Sequence, residues 1–206
     1  MFSASSVESG MPRQLKLTWH AVHLPTTIIL IALAFSLLNG CTAPMSGDNT
    51  SHTVPPSTML LTSPAFAADQ MIPADYTCDA TNVSMPLTIA DVPAGTKSFA
   101  LIMHDPDAPV GDFLHWILWN IPPDTRSFAP SVPPAGATEG LNGTKKPGYF
   151  GPCPPSGAHH YHFDLYALDT TLNLSPSATR EELLKAMAGH ELARTTLIGL
   201  YQRQTH

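Results

Sequence analysis

Three segments carry a strand-like pattern of apolar and polar positions. "SFALIMH" (98–104) is a short continuous apolar run, and "HWILWNI" (115–121) is rich in aromatic and β-branched residues, the profile of strands buried on both faces. "YHFDLYAL" (161–168) alternates instead, with Phe163, Leu165 and Ala167 on one face and His162, Asp164 and Tyr166 on the other. Turn-forming stretches separate these runs: "DVPAGTK" before the first, "DPDAPVGD" before the second and "IPPDTRS" after it. One helix follows. Thr179 and Glu182 have capping-box spacing, acidic residues open "EELLKAMAGH", and Leu183, Leu184 and Met187 supply an apolar stripe. After it, "ARTTLIGLYQ" (193–202) reads as a last strand. The pattern predicts a β-dominated domain with a helix near its C-terminus.

Composition narrows this further. The 206 residues suffice for one domain with a real core. With 13% charged residues and 21 prolines, the chain suits a loop-rich β protein. The net charge is -6 and no basic cluster exceeds Lys145-Lys146, so nothing favours nucleic acid as a partner. Near the N-terminus, Arg13 and Lys16 precede the apolar run 28–38, which is short for a membrane span. Basic, then apolar, then small residues is the order of a signal peptide, expected over 1–40, and Met11 is an alternative start to Met1. The run ends in "LLNGC", which resembles a lipoprotein lipobox with Cys41 as the lipidated residue, although Asn39 departs from the usual small residue. The alternative is ordinary signal-peptidase cleavage that leaves Cys41 as a thiol in the tail. Either route exports the protein to the cell envelope. Residues 41–57 are small, polar and Pro-rich, as a flexible tether is, and 58–206 form the folded domain. An oxidising compartment lets Cys78 and Cys153 pair, but the spacing alone leaves a disulfide and two buried free thiols equally open.

Candidate chemistry gathers at two places. "HDPDAP" (104–109) follows an apolar strand directly. Its carboxylates serve either a turn with Asx-type hydrogen bonds or a rigid site beside a pocket. His115 opens the next strand, and Asp105 or Asp107 could pair with it, fixing its tautomer and favouring the charged ring. The second place is "GPCPPSGAHHYH" (151–162), a stiff loop running into histidines. Extending the following strand back to His159 puts His159 and Tyr161 on one face, where they offer donors to a small anion. His160, His162 and Asp164 fall on the other face and read best as a solvated patch. Two histidines do not define a zinc site. The chain has no G-x-S-x-G, Walker A or H-E-x-x-H motif, which weighs against an enzyme.

"YTCDATNVSMPL" (76–87), "VPAGTKSFALIMHDPDAPVGDFLHWILWNIP" (92–122) and "GPCPPSGAHHYHFDLYALD" (151–169) occur in that order. Together they resemble the phosphatidylethanolamine-binding protein family, in its bacterial Raf-kinase-inhibitor-like branch. The resemblance implies a large antiparallel sheet packed on a smaller one, with peripheral helices, and a small anion pocket near one end of the sheets. Carried over by position, that pocket uses Asp105, Asp107, His115, Pro155, His159 and Tyr161. His160 stands where relatives commonly have Arg, Ala80 and Phe150 where Gly is common, and Met85 where Pro is usual. The function this implies is a non-catalytic binding module for a phosphate-bearing or phospholipid-headgroup ligand such as phosphoethanolamine, with its ammonium facing Asp105 or Asp107. No cofactor or metal is expected. The competing classes are an envelope protein-interaction or inhibitor module independent of the pocket and, behind it, a His/Asp-dependent hydrolase.

Overall fold

The computed structural model describes residues 58–203. The expected signal peptide, the tether and Cys41 lie outside the described residues. Among the described residues nine strands make two sheets. The smaller sheet has the order β1 (Leu60–Thr62), β3 (Leu87–Ala90) and β6 (Ser127–Phe128), paired antiparallel. The larger begins at β2 (Gln70–Met71) and continues through β9 (Glu191–Tyr201), β8 (His159–Leu168), β4 (Ser98–Asp105) and β5 (Phe113–Ile121) to β7 (Thr138–Glu139). All its pairs are antiparallel except β2 with β9, which is parallel. The mixed pair is confined to two residues at the sheet edge and leaves the expected architecture intact.

The apolar runs become central strands because both of their faces are covered. Every residue of β4 is buried. Phe99, Leu101 and Met103 join Trp116, Phe163 and Leu165 in a core that the smaller sheet closes with Leu61, Leu87 and Ile89. On the opposite face Ala100, Ile102, Ile117, Trp119 and Tyr166 form a second core beneath α1 (Arg180–Met187). Both bonds of the Thr179–Glu182 capping box are made, satisfying orphan donors at the start of α1. Its stripe is narrower than the sequence suggests. Leu183 and Met187 are buried, whereas Leu184 faces solvent, because an eight-residue helix lying on a flat sheet presents only one line of contact. Among the described residues the only other helical element is a 3-10 turn at Ala74–Tyr76.

The alternation in β8 places Tyr161, Phe163, Leu165 and Ala167 in the core between the sheets. The other face is only in part the solvated patch expected from its polarity: His160 is exposed and His162 half-buried, but Asp164 is buried. Asp164 is 3% exposed there, accepting hydrogen bonds from Thr196 and Arg194 of β9 and facing His104 of β4. A buried carboxylate persists only when it is partnered in this way.

Candidate functional site

Strand register brings the candidate residues to one end of the larger sheet. Asp105 ends β4, one step beyond the His104–His162 pair with β8, and it faces Phe113 of β5. His115 lies two residues further along β5, while His159 opens β8. Asp105 Oδ2 lies 2.7 Å from His159 Nδ1, and both side chains are buried. Asp105 Oδ1 accepts the Asp107 backbone N–H at 2.9 Å, so this carboxylate makes the Asx turn and belongs to the site at once. The pairing expected between an aspartate of this motif and His115 does not form. His115 Nδ1 donates instead to the Phe150 carbonyl at 2.6 Å. Burial is the main influence on that imidazole, and it holds the ring's pKa below the usual value against the pull of the Phe150 carbonyl and the Asp105 charge.

With Nδ1 of each ring committed, the second nitrogens of His115 and His159 have no hydrogen-bond partner among the described residues. Both rings line a cavity of about 390 Å³, whose other walls include Pro109, Val110, Phe113, Phe150, Cys153 and Pro155. Its surface is mostly apolar, and the two imidazoles share it with the Asp105 carboxylate and Thr144 as polar features. A larger groove of about 610 Å³ adjoins it at Val110 and Phe113, beneath α1, and carries Lys145 and Arg180. Buried, oriented polar groups converge on the smaller cavity, and this makes it the candidate site.

The stiff loop is the wall of that cavity, and it is pinned from several sides. Cys153 is disulfide-bonded to Cys78 across a Cα–Cα distance of 5.4 Å, which closes the question left open by the spacing. The Cys78 N–H donates to the Pro152 carbonyl at 3.1 Å, and the Tyr149 hydroxyl to the Tyr76 carbonyl at 2.7 Å. The Gly151 N–H meets Asn82 Oδ1 at 2.9 Å. A Cβ at Gly151 would fall 2.3 Å from that same Oδ1 and 2.7 Å from the Tyr76 carbonyl, so the opening glycine of "GPCPP" is fixed by close approach.

Two expected ligand residues stand elsewhere. Asp107 points away from the cavity and holds exposed His160, accepting its backbone N–H at 2.8 Å and facing Nδ1 at 2.7 Å. That side-chain bond from His160 is the leading cause of the depressed Asp107 pKa. Tyr161 is fully buried behind the imidazoles, edge-on to His115 with ring centroids 5.2 Å apart and stacked beside His159 at 6.5 Å. Burial, followed by the charge of nearby Asp105, pushes the pKa of its hydroxyl far above the phenolic range. Tyr161 thus backs the site rather than lining it. Sequence reasoning missed the aromatic wall. Phe113 and Phe150 have ring centroids 5.8 Å apart, and Phe150 stacks on His115 at 5.7 Å. The departure at position 150 was the available signal.

Fold and site together define a two-sheet β scaffold with a histidine-bearing pocket at a strand end. The family model for phosphatidylethanolamine-binding protein matches residues 62–202. Relatives include a UPF0098 protein of Methanothermobacter thermautotrophicus, 49% identical over 150 residues that span 70% of this chain and 99% of the relative. Another is a UPF0098 protein of Aquifex aeolicus, 45% identical over 68% of this chain and 86% of that protein. Among solved structures, a phosphatidylethanolamine-binding protein homolog from Chlamydia trachomatis has 40% identity and a TM-score of 0.70, covering 72% of this chain and 99% of that one. E. coli YbcL, a member of the mammalian PEBP family, has 28% identity and a TM-score of 0.67, covering 71% and 99%. The chain belongs to the phosphatidylethanolamine-binding protein family.

Proposed function

We propose that this protein is an exported, non-catalytic binding protein, lipid-anchored through Cys41, whose cavity takes a phosphate-bearing anion such as a phosphoethanolamine headgroup. The observation that carries the reading is the pair of buried imidazoles, His115 and His159, each with Nδ1 committed and the other nitrogen left for a ligand in a mostly apolar cavity. A neutral imidazole in that arrangement accepts a hydrogen bond, and a protonated one donates. A phosphate therefore binds either as a protonated form that donates its P–OH or together with proton uptake by an imidazole. The ligand's ammonium faces Asp105, which lines the cavity and whose oxygens keep acceptor capacity beyond His159 and the Asp107 amide, whereas Asp107 is engaged by His160. No side chain at the cavity is set up as an activated nucleophile, which favours binding over turnover.

The Cys78–Cys153 disulfide supports export, since such bonds persist in oxidising compartments. Titration calorimetry with inorganic phosphate and phosphoethanolamine tests the reading, run in two buffers of different ionisation enthalpy to count protons. Saturable binding with proton uptake, lost in His159→Ala and in His115→Ala, is expected. Unchanged affinity in both variants would refute the site. Incorporation of labelled fatty acid that disappears in Cys41→Ser is expected for the anchor, and its absence from the wild type would refute lipidation.

A further inference from the structure

A second polar cluster lies on the other face of β4, directly behind the cavity. His104 Nδ1 is 2.5 Å from Asp112 Oδ1, and its Nε2 is 3.2 Å from Asp164 Oδ2. Both ring nitrogens therefore face carboxylates. A neutral imidazole has a single N–H and can serve only one of them, while an imidazolium serves both. We propose that His104 is a proton-operated clasp on the cavity wall: as imidazolium it ties Asp112, the far anchor of the 106–112 loop, to Asp164 in the sheet, and on losing its proton it releases that loop.

The two carboxylates are held unequally, which fixes what moves. Asp164 lies within a strand at 4% side-chain exposure and keeps Thr196 Oγ1 at 2.6 Å and Arg194 at 2.7 Å. Asp112 sits at a loop end at 40% exposure, and its other partner is Arg180 of α1 at 2.7 Å. When the ring becomes neutral, the loop side yields. That loop supplies Ala108, Pro109 and Val110 to the cavity. Other groups near His104 are His162, 5.2 Å away between ring centroids, and Asp105 on the opposite face, occupied by His159.

The electrostatics agree with this geometry. Burial opposes the charged His104 ring most strongly, but the bonds to Asp164 and Asp112 together raise its pKa above the usual 6.5. Burial and then the His104 charge keep the pKa of neighbouring His162 low, so His104 is the proton carrier of the pair. A raised histidine pKa gives an interaction fully present below the unfolded value and lost as pH rises through the folded one. The clasp is thus closed in mild acid and opens on the alkaline side. Asp112 and Asp164 have lowered pKa values, Asp164 about 2, so both stay charged well into acid.

The loop prediction stands without any ligand; its effect on affinity rests on the binding role proposed above. Imidazole and amide NMR shifts of the ligand-free protein, with amide exchange corrected for intrinsic rates, are followed from mild acid to mild alkali. The informative amides are Gly111 and Asp112, remote from the His160–Asp107 pair. They are expected to titrate with the His104 ring at a common midpoint above 6.5, and to stop doing so in Asp112→Asn, a change at a half-exposed loop residue. Flat amides across the His104 transition, or a wild-type His104 midpoint at or below 6.5, would overturn the proposal. Affinity for inorganic phosphate should change at least threefold across that midpoint in the wild type and lose this component in His104→Gln. If phosphate binds at no pH while the amides still titrate with His104, the clasp stands and the ligand assignment falls.

Discussion

Replacing both Cys78 and Cys153 by Ser removes a cross-link between residues 75 apart in sequence, beside the cavity. In the chain-entropy account, closing a loop of that length restricts the unfolded chain by about 4.5 kcal/mol at 25 °C. Native disulfides removed from small domains typically cost about 2–5 kcal/mol, so the expected loss lies in that range. It is a large share of a stability of roughly 5–15 kcal/mol. With a urea slope of about 2 kcal/mol/M, the unfolding midpoint should fall by roughly 1–2.5 M. The cavity should survive in the variant that remains folded. Its wall keeps the Cys78–Pro152, Tyr149–Tyr76 and Gly151–Asn82 hydrogen bonds, none of which uses a sulfur. The assay is urea unfolding followed by tryptophan fluorescence, with phosphate affinity measured on the same preparation in water. A midpoint within about 0.3 M of wild type would refute the reasoning, because it corresponds to well under 1 kcal/mol.

Truncating Met187→Ala on the buried face of α1 should cost about 2–5 kcal/mol by the same unfolding assay, while Leu184→Ala on the exposed face should cost well under 1 kcal/mol. Asp164 has a pKa of about 2 in the fold against a reference of 3.8, a depression equivalent to about 2 kcal/mol. A depressed carboxylate pKa gives stability present above the unfolded value and lost as pH falls through the folded one. The wild type should therefore lose that amount between about pH 4 and 2, and Asp164→Asn should lack that part of the acid dependence. Gly151→Ala should destabilise by about 1–3 kcal/mol and weaken phosphate binding, since its methyl group displaces Asn82 and the cavity wall.

Much of this molecule is legible in local sequence, and the remainder depends on register. The capping box at Thr179 and Glu182, the buried run of β4 and the alternation of β8 are short-range signals, and each is realised. Alternation put His159 and Tyr161 on one face correctly. It could not tell that the sheet sandwich closes over Tyr161 while leaving His159 at the rim, because that depends on where the smaller sheet ends. The partner of Asp105 was equally hidden. Sequence proximity favours His115, ten residues away, but antiparallel pairing of β4 with β8 delivers His159, 54 residues away. Asp164 looked solvated because a polar residue in an alternating strand usually is. Its burial follows from His104, Arg194 and Thr196 arriving from two other strands.

The most direct test of the account is calorimetric titration of inorganic phosphate into the wild-type protein and His159→Ala, each in two buffers that differ in ionisation enthalpy. The cavity geometry predicts saturable wild-type binding accompanied by proton uptake wherever dianionic phosphate prevails, and at least a tenfold weaker affinity in the variant. Equal affinity in the two proteins, or wild-type binding with no proton taken up under those conditions, would contradict it.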